Sequence, residues 1–138
     1  MGVEVVLDAN VLFRMLISQG NIIELLFNDN LKLLAPKRLR EEFLKHEEEI
    51  IEKSRLSKEE IGQLTELIFR RISVLPLTEY KAFLHEAKEM LGVHEKDEEF
   101  VAICLLKNAR LWTYEKLLFR IGVGISTKEV VGLLSGHS

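Results

Sequence analysis

The chain predicts a three-layer α/β/α sandwich built on a mostly parallel sheet of four to five strands. Three observations carry that prediction. Short β-branched or aliphatic runs alternate with longer helical stretches from one end to the other, the rhythm of strand–helix–strand crossovers. The first of those runs, Val3–Leu7, is β-branched and aliphatic but for Glu4, as a strand covered on both faces is. A length of 138 residues is enough to bury one core, so 1–138 reads as a single domain.

Each element follows from local chemistry. Val3–Leu7 is the first strand, ended by Asp8-Ala9-Asn10, and Val11–Ile17 reads as a helix. Gly20-Asn21 breaks that pattern before a second helical piece, Ile22–Phe27. Leu31–Ala35 is the second strand, closed by Pro36, whose fixed φ suits the first position of a long helix to about Lys53. Ser57 with Glu60 is a capping box that starts a helix to about Arg71. The two helices between Pro36 and Arg71 exceed what a crossover needs and predict a helical hairpin at about 37–71. Ile72–Leu77 is the third strand, and Thr78 with Lys81 begins a helix ending near Met90-Leu91-Gly92. Asp97 opens a helix through Lys107. Arg110–Thr113 is a fourth strand, Lys116–Arg120 a helical turn, Gly122–Ile125 a fifth strand and Thr127–Leu134 the last helix.

Composition excludes several classes. An apolar share of 47% with 30% charged residues describes an ordinary globular chain. No apolar stretch nears the roughly 20 residues that span a bilayer, so no membrane role is expected. No basic segment precedes the first strand, which argues against a signal peptide and for a cytoplasmic location. The lone Cys104, inside an apolar run, excludes an intrachain disulfide and reads as a small buried thiol. A net charge of −3 offers no global attraction to nucleic acid. Locally, Lys107, Arg110, Lys116 and Arg120 outnumber Glu115; they suit phosphate contacts, or simply solvated helix faces.

Four acids stand at the edges of apolar runs: Asp8, Glu42, Asp97 and Glu115. In such a fold ligands bind at the carboxyl ends of the strands, where Asp8 and the Thr113–Glu115 segment belong. Singly, each acid has an ordinary explanation: Asp8 and Asp97 as N-caps, Glu115 as a helix-start charge, Glu42 as surface. Jointly they do not, because Phe43 beside Glu42 and Phe100–Cys104 after Asp97 set them against the core. Two carboxylates about 4 Å apart repel by about 4 kcal/mol at an effective dielectric of 20. Gathering four requires shifted pKa values or a bound cation.

Rival α/β sites fit poorly. A dinucleotide site needs a glycine-rich turn after the first strand, where this chain places an acid that repels phosphate. A dehalogenase-type phosphatase wants Asp-x-Asp, and Asn10 removes the second acid. A receiver domain fails at the third strand, which ends in Leu75-Pro76-Leu77.

Four stretches in order resemble the PIN domains: Asp8–Leu12 after a hydrophobic strand, Ala35–Glu42, Asp97–Ala102 and Leu111–Leu118. The resemblance spans essentially the whole chain and is nearest the toxin nucleases of toxin–antitoxin pairs and their relatives. It implies an endoribonuclease that hydrolyses single-stranded RNA with Mg²⁺ or Mn²⁺. Asp8, Glu42 and Asp97 match the three core metal-binding acids, Glu115 the fourth, and Asn10 and Thr113 the accessory polar positions. Lys116 and Arg120 are the expected substrate contacts, an antitoxin protein the expected partner, and a homodimer the expected assembly. Glu42 is preferred to Glu41 because helical spacing from Leu39 and Phe43 turns it inward. Glu115 is one methylene longer than the family's usual Asp, and Tyr114 replaces a residue that is commonly small. These departures set an alternative beside the nuclease: a weakly active or inactive PIN-like module that binds RNA or a partner protein. His46 and His94 are phosphate-contact candidates or surface histidines. Trp112 reads as core before base-stacking platform.

Overall fold

The computed structural model describes residues 2–18 and 22–136. The break expected at Gly20-Asn21 lies outside the described residues. Five strands, β1 (Val3–Leu7), β2 (Leu31–Pro36), β3 (Ile72–Leu75), β4 (Arg110–Trp112) and β5 (Gly124–Ile125), form one sheet in the order β3-β2-β1-β4-β5. Every pairing is parallel. The helices are α1 (Ala9–Ser18), α2 (Ile22–Leu26), α3 (Arg38–Lys45), α4 (Glu47–Lys53), α5 (Lys58–Arg70), α6 (Leu77–Tyr80), α7 (Leu84–Leu91), α8 (Glu98–Lys107), α9 (Lys116–Arg120) and α10 (Thr127–Leu134).

The order of the strands places the site. From β1 the chain steps to β2 and β3, then returns past both to β4 and β5. Right-handed crossovers put α1–α5 on one face of the sheet and α6–α9 on the other. The direction reverses between β1 and β4, and a crevice opens there beyond their carboxyl ends. The apolar runs explain the core: Val5, Val6 and Leu7 of β1, Leu33 and Leu34 of β2 and Leu111 and Trp112 of β4 are all buried. Helix α8 packs across β1, β2 and β4. Five successive buried residues, Phe100–Cys104, leave it no clean polar face, as suits a helix sunk between sheet and helices.

Several boundaries differ from expectation for identifiable reasons. Pro36 ends β2 instead of opening a helix; it faces Leu75 across the ladder, and α3 begins at Arg38. The long helix expected to Lys53 is broken at His46 into α3 and α4. The bend lets both Phe43 and Ile50 reach the core while α1 packs on both pieces. Strand β3 stops at Leu75 because Pro76 has no N–H to extend the ladder. The helix expected from Thr78 is divided into α6, a 3₁₀ turn (Lys81–Phe83) and α7, and Gly92 stops it at φ 63°. The fourth strand stops one residue short, at Trp112. The fifth begins at Gly124 because Gly122 adopts φ 89° and Val123 N–H turns back to Leu118 O (3.0 Å).

Residues 38–70 form three helices, with Phe43, Ile50, Ile61 and Ile68 all in the core. The capping box at Ser57–Glu60 is complete, and a second one, Ser126–Glu129, starts α10. Trp112 is fully buried and donates its indole N–H to Thr127 Oγ1 (2.9 Å). Cys104 is free and buried, which pushes its thiol up to about 12. Among the described residues, no helix is long and apolar enough to cross a membrane.

Candidate metal centre

A cavity of about 290 Å³ opens at the reversal point, and Asp8, Glu42, Asp97 and Glu115 all line it. Asn10, Phe13, Lys45, His46 and Lys96 complete most of its wall. The four acids come from four places in the chain: the end of β1, the body of α3, the start of α8 and the start of α9 just beyond β4. Glu41, one position round α3, lines a different, more apolar groove with Val74 and Leu77. The inward turn expected for Glu42 over Glu41 is therefore what the helix presents.

Asp8 is 5% exposed and both its oxygens are engaged. Oδ1 accepts from Ala9 N–H (2.8 Å) and Oδ2 from the Thr113 hydroxyl (2.7 Å). Its own N–H donates to Trp112 O (3.1 Å), which locks the end of β1 to the end of β4. Thr113, itself fully buried, uses its whole capacity. It donates to Asp8 and accepts from Glu115 N–H (3.0 Å) and from Asn10 Nδ2 (3.4 Å). Asn10 Oδ1 accepts from Tyr114 N–H (3.3 Å). Asn10 and Thr113 are thus the struts that set Asp8 against the Glu115 backbone.

Asp97 occupies the N-cap position of α8 but makes no capping bond with its side chain. It is 7% exposed, and Oδ2 is a buried oxygen without a hydrogen-bond partner among the described residues. A buried acceptor left unsatisfied is costly, and this one lines the acidic cavity. Burial, then the charges of Asp97 and Glu115, drive Asp8 up to about 7, against the lowering effect of its hydrogen bonds. Burial first, then Glu115 and Glu42, also raises Asp97, while Lys96 and Arg38 pull it down.

Two cations partly offset the acids. Arg38 Nε donates to Glu42 (3.0 Å), and its Nη1 lies 3.8 Å from Glu99, which accepts from the Tyr80 hydroxyl (2.6 Å). Lys96 Nζ lies 3.9 Å from Glu115. As the side chains lie, no three His, Cys, Asp or Glu groups among the described residues form a ready-made metal cage. Glu42 and Glu115 are engaged with Arg38 and Lys96, and both retain partial exposure and rotatable bonds. The residues nevertheless fit a hard divalent cation. The donors are all carboxylate oxygens, and the orphaned Asp97 oxygen is an acceptor that a cation would satisfy.

Other expected contacts fall differently. Lys116 and Arg120 belong to α9 and do not line the cavity, and His94 is exposed elsewhere. Arg110 is engaged with Glu129 (3.5 Å) and the Gly124 carbonyl. His46 does line the cavity. Lys45 and Lys96, which nothing in the local sequence singles out, line it too; only their adjacency to Glu42 and Asp97 hints at it. Tyr114 is not in the cavity wall. Its ring sits beneath the Arg14 guanidinium (4.3 Å), and its hydroxyl meets Thr127 Oγ1 (3.2 Å), so the larger residue is housed beside α10.

A family model described as PIN domain matches residues 6–135, nearly the whole chain, and all four acids lie inside the match. The chain belongs to the PIN-domain family, a nuclease-type family whose members generally use a divalent metal. Neither the curated proteins nor the solved structures searched contain a match.

Proposed function

We propose that this protein is a metal-dependent endoribonuclease that hydrolyses phosphodiester bonds of single-stranded RNA. The observation that carries the reading is the convergence of Asp8, Glu42, Asp97 and Glu115 on one cavity at the sheet's reversal point. Asp8 and Asp97 would be the principal holders of Mg²⁺ or Mn²⁺, with Glu42 and Glu115 binding directly or through water. Such an ion, when bound, activates water and stabilises charge on a phosphodiester in displacement.

The chain's own groups supply the rest. The Thr113 hydroxyl and Ala9 N–H orient Asp8 so that its remaining lone pairs are available to a cation. A bound cation would favour the ionised form of Asp8 and Asp97, opposing the upward push that burial and the neighbouring acids give both carboxyls. Glu115, partly exposed and on the cavity wall, would orient the attacking water and take up its proton.

The test is cleavage of a quenched fluorescent single-stranded RNA with Mn²⁺, Mg²⁺ or Ca²⁺. Cutting should require Mn²⁺ or Mg²⁺ and fall at least about 100-fold in Asp97→Asn, as expected for losing a carboxylate that holds the ion. A chain that cuts nothing under any divalent cation sinks the enzyme reading. The role of toxin is tested by growth arrest on expression; arrest that persists in Asp97→Asn would count against it.

A further inference from the structure

Four carboxylates repel a polyanionic strand as well as each other, so a nuclease site built on them needs attraction from elsewhere on its wall. The same cavity supplies it. Lys45 and His46, at the end of α3, are both exposed and both line the cavity. Lys45 forms no ion pair with another described residue, whereas Lys96 is engaged with Glu115. The His46 ring meets Phe13 of α1 in an edge-to-face pair, centroids 5.1 Å apart and planes at 61°. That arrangement leaves at least one broad face of each ring uncovered by the other. Phe13 also packs against the fully buried Phe43, ring centroids 6.4 Å apart, which helps to pre-order the platform.

We infer that Phe13, Lys45 and His46 form a nucleotide subsite beside the acids, stacking one unpaired base on the His46–Phe13 pair and contacting its phosphate with Lys45. A lysine alone would hold duplex and single strands alike. An aromatic face selects single strands, because a base can stack on it only once it has left its neighbours. The inference rests on the nuclease reading for the choice of RNA, but it is tested by binding, independently of cutting.

The experiment follows polarisation of a short labelled single-stranded RNA, and of the same RNA annealed to its complement, in an Asp97→Asn background. Adding His46→Ala should weaken single-strand binding about tenfold and leave duplex binding unchanged, while His46→Phe should retain it. Adding Lys45→Gln should weaken binding and reduce the slope of log affinity against log salt by about one. Both side chains are exposed, and unchanged melting temperatures confirm that the fold is intact. Single-strand binding that is absent in the background, unaffected by both substitutions, or lost equally for duplex by His46→Ala overturns the inference. An unmodified chain that binds in this way but cuts nothing overturns the nuclease reading and leaves the subsite standing.

Discussion

Asp8 and Thr113 form the most tightly defined contact of the site, and each supports a prediction. With a cation chelated away, protonated Asp8 is favoured in the folded chain, whose carboxyl titrates near 7, over an unfolded value near 3.8. The stability this contributes is full below about pH 4 and is lost as pH rises towards 7. Asp8→Asn should flatten the fall in melting temperature between those values in EDTA. Some slope should persist, since Asp97 is raised as well. A profile as steep as the unmodified chain's would show that Asp8 is not buried as a raised carboxyl. Thr113→Val keeps the shape and removes three hydrogen bonds, leaving Glu115 N–H, Asn10 Nδ2 and an Asp8 oxygen short of partners. Urea unfolding should register a loss of about 1–3 kcal/mol. The midpoint of Asp8 should also rise, because the Thr113 bond holds it down.

Elements bring these residues within reach of one another, and the shortest strand shows how little slack there is. Strand β5 is only Gly124–Ile125, and a Cβ on Gly124 would meet Phe119 Cδ1, Cγ and backbone N, each at 3.0 Å. The backbone nitrogen of α9 cannot swing aside as a side chain could. Gly124→Ala should therefore cost about 1–3 kcal/mol through overpacking. Because β4 carries Thr113 and Glu115 at its end, metal-dependent activity should fall with it. An alanine variant as stable as the original chain would mean that α9 can retreat freely. Helix α3 shows a second kind of coupling. Arg38, one turn before Glu42, ties it to Glu99 on α8, and Glu99 to Tyr80 on α6. Glu42 is therefore aimed jointly by three helices.

For the whole molecule, the balance of charge at the reversal point predicts linkage between cation and stability. An ion that binds the folded chain alone stabilises it by about 2.7 kcal/mol at a concentration 100 times its dissociation constant. Mn²⁺ should raise the melting temperature by about 2–4 °C for each kcal/mol gained, with a larger rise at pH 8 than at pH 5, where Asp8, pushed up to about 7, holds its proton. Asp97→Asn should lose most of that rise. Calorimetry showing equal rises in both chains would remove Asp97 from the ligand set.

Much of this architecture was legible in the chain. Largely apolar runs such as Val3–Leu7, broken only by Glu4, marked parallel strands, and Ser57–Glu60 marked a helix start, because period, burial and capping are local properties. The four acids were also legible as residues set against apolar runs, and Asn10 and Thr113 through the resemblance to the PIN domains. Strand order was not legible, because it depends on which strands pair across more than a hundred residues of chain. Only the folded chain put β1 beside β4, so that Thr113 could bond Asp8 and Asp97 could point a bare buried oxygen into the same cavity. It likewise set Lys45 and Lys96 in that cavity in place of the expected Lys116 and Arg120, and of the two candidate histidines it brought in His46 and not His94. A lysine's contacts depend on what folds opposite it, and its flanking residues give no more than a hint of that.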